Sequence, residues 1–322
     1  MIIDCHTHLA TPAVLPTIFF DGWADNIRRL LPPKLPRAHV ARIEQGFRLA
    51  LEDPDADRLV ADMDAAGIDV AVLHIIDFGL AFDGQVPPLE EVFQAHRRVV
   101  ARHPGRFRVF AGIDPRRGRA GVELFERALV EWGFTGLKLY PPCGFSPSDP
   151  ALDPLYDLCA QHGVPVLTHT GPTTPRLSFR YTHPSELDDA ARRFPNVDFV
   201  LGHGSVVHRD DAALLAEFRP NIYLDTAGFQ VVDRQGEWLS SLAFFKRRGL
   251  LRKLLFGTDW PIHNQMATMA ASRERLSSPS DGALTPMELQ WVVEANAREV
   301  LKIEASPTPP RNDDPRGSTR SP

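Results

Sequence analysis

Five residues of this sequence carry side chains that bind transition-metal ions or move protons, and each closes a short apolar run. His6 and His8 follow Met1-Ile2-Ile3, His169 ends Val164–Thr168, His203 follows Leu201-Gly202, and Asp259 follows Phe256-Gly257-Thr258. A single histidine on an apolar strand is more often a satisfied core residue than a ligand. Five such positions at the same ends of successive elements reverse that expectation. On a strand, His6 and His8 point to one face with Cα atoms about 6.6 Å apart, so both imidazoles can reach one ion at about 2.0–2.1 Å. His169 and the Asp259 carboxylate would complete three nitrogens and one oxygen. That set suits one borderline divalent ion, zinc first, with manganese, iron or cobalt as alternatives. Such an ion lowers the pKa of a bound water towards about 7 and makes it a nucleophile. Asp259 could accept the proton of that water, and His203 is placed as an acid-base or polarising group.

Eight β-branched apolar runs must position these side chains: Ile2–His8, Asp69–Asp77, Arg106–Asp114, Phe134–Pro141, Val164–Gly171, Val197–Ser205, Ile222–Gly228 and Leu254–Ile262. Stretches with helical spacing follow them, at Asp55–Ala66, Leu89–Arg102, Val122–Trp132, Leu152–His162, Ser185–Phe194, Asp210–Phe218, Leu239–Arg248 and Pro286–Lys302. Nearly continuous apolar strand cores mean a parallel sheet covered by helices. Closing eight such units gives an α/β fold, a single (β/α)8 TIM barrel without open edges, with chemistry at the C-terminal strand ends. A doubly wound open sheet would ordinarily carry a Gly-rich loop after its first strand, where this chain has His6-Thr7-His8. The barrel is expected over residues 1–303, with residues 9–53 as an insertion on the catalytic face. The insertion carries Phe19, Phe20 and Trp23 and a helical stretch at Ala38–Leu51, and reads equally as a packing or oligomer contact and as a lid or pocket wall.

Composition limits the partners. With 36 Lys+Arg against 41 Asp+Glu the net charge is −5, which argues against a nucleic-acid surface. The N-terminus reaches polar residues too early for a secretory signal, and charged residues or prolines interrupt every apolar run, so no membrane span is expected. Three scattered cysteines, Cys5, Cys143 and Cys159, fit reduced thiols in a cytoplasm. Residues 304–322 hold five of the 29 prolines and almost nothing apolar, and read as a disordered tail. A small-molecule substrate is expected and a homodimer is possible, that being the commonest assembly.

The segments Asp4-Cys5-His6-Thr7-His8, Leu167-Thr168-His169-Thr170-Gly171, Leu201-Gly202-His203-Gly204 and Phe256-Gly257-Thr258-Asp259-Trp260-Pro261, with Asn296–Leu301 after them, resemble the amidohydrolase superfamily. The resemblance is greatest to amidohydrolase-related family 2, the metal-dependent hydrolase and decarboxylase group that includes aminocarboxymuconate-semialdehyde decarboxylase. It implies metal ligation by His6, His8, His169 and Asp259, with His203 assisting catalysis. Lys138, between Leu137 and Leu139, should point into the barrel, where a lone ammonium needs a partner. That partner could be Asp259 or a substrate carboxylate. In binuclear members of the superfamily such a lysine is carboxylated and bridges two ions, a minority alternative here to a mononuclear site.

Three functions follow. The first is hydrolysis of an amide, ester or lactone of a small carboxylate-bearing substrate by metal-activated water. The alternative is metal-dependent nonoxidative decarboxylation of an aromatic or dienoic acid. The third is a catalytically silent binding barrel, disfavoured because no ligand position is lost. Arg116, Arg176, Arg180 and Lys138 are candidate cations for a substrate carboxylate, and Trp260 for its apolar part. Asp225 and Asp114 could support the site from behind. His74 reads as structural, His263 as lining the pocket or merely ending the strand, and His39, His96, His103, His162, His183 and His208 as surface residues.

Overall fold

The computed structural model describes residues 1–30, 36–50, 52–82, 85–229, 238–264, 266–277 and 284–304. Its eight strands are β1 (Ile3–Thr7), β2 (Val70–His74), β3 (Phe107–Gly112), β4 (Gly136–Leu139), β5 (Val166–His169), β6 (Phe199–Gly202), β7 (Ile222–Asp225) and β8 (Leu254–Leu255). They pair in parallel in the order 1 to 8. The circle closes where Cys5 N donates to Phe256 O at 2.8 Å and His8 N to Trp260 O at 2.8 Å, beside a parallel bridge between Thr7 and Trp260. The expected (β/α)8 barrel is the observed fold.

Helices α3 (Asp57–Ala66), α4 (Leu89–Arg102), α5 (Gly118–Val130), α6 (Asp153–His162), α7 (Asp188–Arg193), α8 (Arg209–Phe218) and α9 (Trp238–Arg247) connect successive strands, and the chain ends on a helical segment from Pro286 to Val300. Alternation sorts the strand side chains. Leu73, Leu137, Leu139, Val166, Leu201 and Leu224 join the outer core under the helices. Val70, Val72, Phe110, Leu167, Val200 and Leu255 face inward with Ile3 and Cys5, and Ala297, Val300 and Leu301 of the last helix pack against them. Above this apolar layer the next inward positions are polar, and they form the candidate site.

The insertion holds two helices, α1 (Thr17–Leu30) and α2 (Arg37–Ala50). The second matches the anticipated stretch up to Ala50; Leu51 and the side chain of Trp23 lie outside what is described. Residues 305–322 of the expected tail also lie outside the described residues. The strands are shorter than expected, because the residues flanking them belong to the loops that join strand to helix. After Leu255, β8 gives way to a turn in which Asp259 takes φ +56°. Helix Met269–Ser277 was not anticipated, since its residues MAASRERLS lack a clear apolar period; it covers α3. His96 corrects the surface reading. It lies fully buried in α4, its Nδ1 bonded to Val92 O at 2.8 Å, because its ring faces the barrel side of the helix. No helix among the described residues is long and apolar enough to cross a membrane.

Candidate metal centre

His6, His8, Lys138, His169, His203, Asp225 and Asp259 are all buried and converge at the C-terminal mouth of the barrel. Parallel strands deliver them. His169 and Asp225 are the last residues of β5 and β7, Lys138 is the inward residue of β4, and His203 directly follows β6. In β1 the ladder register shifts between Asp4 and Thr7. That irregularity lets Cys5 join the inner apolar layer while the next residue, His6, also reaches the site, the kind of re-aiming that bulges provide. Two glycines of the sequence motifs make room. A Cβ on Gly257 would come within 2.9 Å of His6 Cβ, and one on Gly202 within 3.2 Å of His6 Cε1.

The histidine tautomers follow from the backs of the rings. His6 Nδ1 donates to Asp225 Oδ2 at 2.6 Å, His8 Nδ1 to His74 O at 2.9 Å, and His203 Nδ1 to Ala227 O at 3.1 Å. Each neutral ring therefore presents the bare lone pair of Nε2 to the interior. His8 Nε2 lies 3.3 Å from Asp259 Oδ1, and His6 Nε2 lies 3.7 Å from the same oxygen. Two acceptors facing each other repel unless a cation or a second proton sits between them. Donors around a tetrahedral ion at about 2.0–2.1 Å lie about 3.4 Å apart, which these separations match. His169 Nε2 is buried with no hydrogen-bond partner, as a waiting ligand would be. Ligand atoms of His6, His203 and Asp259 also lie within 4.8 Å of one another. The donor set suits a divalent metal ion, and the buried carboxylate behind His6 has the usual form of support for a metal-bound imidazole.

Burial sets the electrostatics. It pushes His6 and His169 well below the ordinary histidine range, helped for His6 by the Lys138 charge and for His169 by His203 and Lys138, and it lowers His203 to about 4. Neutral imidazoles result, ready to bind a metal or take a proton. Burial alone would raise Asp259, but the facing imidazoles of His8, His203 and His263 outweigh it and hold the carboxyl low. Lys138 has only 1% of its surface exposed. As expected, it points inward, with Nζ 3.4 Å from His6 Nε2. Burial lowers its ammonium to about 8, against the pull of Asp225 and Asp259. Asp225 is raised to about 8, also by burial, although His203 N donates to it at 2.7 Å and Ala227 N at 3.1 Å. His203 and Asp259 both sit at positive φ, +65° and +56°. Such left-handed non-glycine residues cluster at functional sites, where the surroundings hold them in place.

A cavity of about 250 Å³ opens over these groups. His8, His169, His203, Asp259 and His263 form its polar side, while Leu15, Phe19, Ile76, Tyr140, Val206 and Ile262 supply apolar wall. Leu15 and Phe19 come from the insertion after β1, so this segment is pocket wall. Tyr140 is fixed by a 2.7 Å hydrogen bond to Thr173 and packs 4.7 Å from the His169 ring. His263 lines the cavity with Nε2 3.3 Å from Asp259 Oδ2. Sequence reasoning missed Ile76 and Tyr140; both lie within two residues of a strand end, which was the available signal.

The remaining candidates fall elsewhere. Arg116 is held by Asp114, with Nε donating to Oδ1 at 2.8 Å, and reaches Cys143 O. Arg176 and Arg180 are exposed, and neither lines the cavity. Trp260 is buried but turns outward, its Nε1 donating to Asp62 of α3 at 2.9 Å. None of these four forms part of the cavity wall. His74 is buried behind the site, its Nε2 bonded to Cys5 O at 2.8 Å. Cys143 is buried, and burial pushes its thiol far up.

Comparison with known proteins agrees with this architecture. The 5-carboxyvanillate decarboxylase of Novosphingobium aromaticivorans, solved with manganese and 4-hydroxy-3-methoxy-5-nitrobenzoic acid, superposes with a TM-score of 0.65 at 14% identity, covering 94% of this chain and 96% of that one. The 2,6-dihydroxybenzoate decarboxylase from Rhizobium gives 0.62 at 17% identity, over 94% and 98%. A putative amidohydrolase from Staphylococcus aureus gives 0.60 at 16%, over 94% and 99%. Among curated proteins, fluG of Emericella nidulans is 33% identical over 78 residues, 24% of this chain; the match spans only 9% of that protein's length. The Amidohydro_2 family model, described as amidohydrolase, matches residues 3–303, and with nearly the whole barrel inside that match the chain belongs to this amidohydrolase family.

Proposed function

We propose that this protein is a metal-dependent nonoxidative decarboxylase of a small aromatic acid, a carbon-carbon lyase. This places decarboxylation ahead of the hydrolysis that the sequence motifs alone favour. The carrying observation is the charge pattern of the cavity. Its walls are apolar, and no arginine or lysine lines it among the described residues. A hydrolase acting on a carboxylate-bearing substrate would need a wall cation for the spectator carboxylate, and Arg116, Arg176 and Arg180 are not there to supply it. A carboxylate entering this cavity would meet complementary charge only where the histidine-rich end would hold a divalent ion, and there it becomes the reacting group. The similarity to a 5-carboxyvanillate and a 2,6-dihydroxybenzoate decarboxylase supports the same reading.

His6, His8, His169 and Asp259 would hold one divalent ion, zinc or manganese, which would supply positive charge to polarise the acid. In the reaction a proton is added to the ring carbon bearing the carboxylate. The carbon-carbon bond then breaks, its electron pair returns to the ring, and CO2 leaves. That proton comes from solvent by way of His203 and Asp259, both on the cavity wall, with His203 taking it up and passing it to the ring carbon while Asp259 stays ionised and holds the charged imidazole in place. His203 is neutral when the cavity is empty and gains a proton more readily beside an anionic substrate. Lys138 offsets negative charge from below the site, and Phe19, Ile76 and Tyr140 bound the ring and exclude water. The test incubates manganese- or zinc-loaded protein with hydroxybenzoates and, separately, with small lactones, following CO2 and ring-opened acid. CO2 from a hydroxybenzoate is expected; ring-opened acid alone would restore the hydrolase reading.

A further inference from the structure

A second group of metal-capable side chains lies at the cavity rim, apart from the centre described above. His183 ends the loop after β5, His208 stands just before α8, and Asp211 is in the first turn of that helix. One nitrogen from each ring and a carboxylate oxygen of Asp211 lie within 4.8 Å of one another. His183 Nε2 is 3.3 Å from Asp211 Oδ2, and the two imidazoles are 4.7 Å apart between ring centres. His208 holds a left-handed backbone, φ +52°, and neither of its ring nitrogens has a hydrogen-bond partner among the described residues. Its ring packs against Phe179, stacked at 6.2 Å, and against His183.

We propose that His183, His208 and Asp211 form a second, peripheral site for a borderline divalent ion such as zinc, with water completing its coordination. Two imidazoles and one carboxylate on a half-exposed surface match the ligand preferences of that ion. His183 needs one adjustment. Its Nδ1 now accepts from Ser185 N at 3.3 Å, and on metal binding the ring proton moves to Nδ1 and is donated to Ser185 Oγ, already 2.8 Å away. The site joins two loops that both line the cavity, one through Thr170, Pro172 and Thr173, the other through Val206 and Val207. These loops already touch, since a Cβ on Gly171 would meet Val207 Cγ1 at 2.5 Å. An ion here would pin the rim of the substrate cavity without touching substrate.

Full-length, untagged protein would be stripped with chelator, equilibrated by dialysis against zinc and analysed for metal per chain. His208→Ala and Asp211→Asn should each carry one equivalent fewer than the unaltered chain. Asp259→Asn should lose a different equivalent, so that the loss adds in the Asp259→Asn/His208→Ala double variant. Trypsin cleavage at the exposed Arg176 and Arg180 should slow with zinc in the unaltered chain and in Asp259→Asn, but not in the two rim variants. Asp211→Asn, an exposed isosteric change, keeps the test valid should His208→Ala fold poorly. Equal zinc content in the unaltered chain and both rim variants, or zinc protection that survives in them, would overturn the proposal.

Discussion

Asp225 makes no contact with the cavity, yet Asp225→Asn should weaken metal binding while leaving the fold intact. Oδ1 of Asp225 accepts from His203 N and Ala227 N, and Oδ2 accepts from His6 Nδ1 at 2.6 Å. An asparagine has one acceptor oxygen, and the two backbone donors claim it. Its NH2 group then faces His6 Nδ1, donor against donor, unless the imidazole proton moves to Nε2. That move blocks the lone pair now aimed towards Asp259 Oδ1, 3.7 Å away. Removing an outer partner of a metal-bound histidine typically costs about 10–100-fold in affinity, about 1.4–2.7 kcal/mol. The assay is competition of stripped protein against a chelator of known affinity, with melting temperature followed in parallel. Burial disfavours the Asp225 charge, so the metal-free variant should melt no lower than the unaltered chain. A metal Kd unchanged within about twofold would refute the reasoning, and a fall in melting temperature with unchanged affinity would reduce Asp225 to a structural residue.

Four further outcomes are expected. His203→Asn should lower kcat by about 10²–10⁴-fold, the usual worth of an acid-base group, with metal content retained; metal lost in proportion would make His203 a ligand instead. Lys138→Gln should leave metal per chain unchanged, and intact mass should show no CO2 adduct on the unaltered chain, whereas such an adduct together with loss of metal from the variant would favour the binuclear alternative. Phe19→Leu removes an aromatic wall residue packed 5.3 Å from Phe78 and should raise KM about threefold to tenfold, the worth of about 0.5–1.5 kcal/mol for an aromatic contact, with kcat little changed. His96, buried inside α4, is held neutral by burial, its pKa lowered to about 4. Between pH 4 and 6.5 the unfolded chain binds the proton that the folded chain refuses, so stability rises with pH across that window. Acidification through it should cost about 3 kcal/mol at this residue, and His96→Gln should flatten that part of a urea-denaturation profile against pH.

The barrel and the polar ends of its strands were legible in the sequence because both rest on local pattern. Alternation placed Lys138 inward between two outward leucines, and the repeated strand-then-helix period closed the sheet. What local pattern cannot carry is the direction of a side chain after the ladder ends. Trp260 follows Asp259 immediately, but the left-handed turn at Asp259 sends its ring out to Asp62 and not into the cavity. Arg116 looked free until its neighbour two residues back, Asp114, captured it. Tyr140 and Phe19 become wall residues through loop packing with Thr173 and Phe78, contacts between segments far apart in the chain. His96 was misread because a histidine amid Gln94, Arg97 and Arg98 looks exposed, while the burial of Phe93 and Val99 carries its face of α4 inward. The proposal of decarboxylation over hydrolysis rests on where the arginines do not reach, which spacing in a sequence does not encode.

The most direct test of the central claim is the isotopic content of the product formed in D2O. Metal-loaded protein acting on a hydroxybenzoate should release one CO2 per turnover and leave one deuterium at the vacated ring carbon, and turnover should stop on chelation and return with manganese or zinc. Turnover that persists after chelation, or a product that retains its carboxylate and gains the elements of water, would contradict the account.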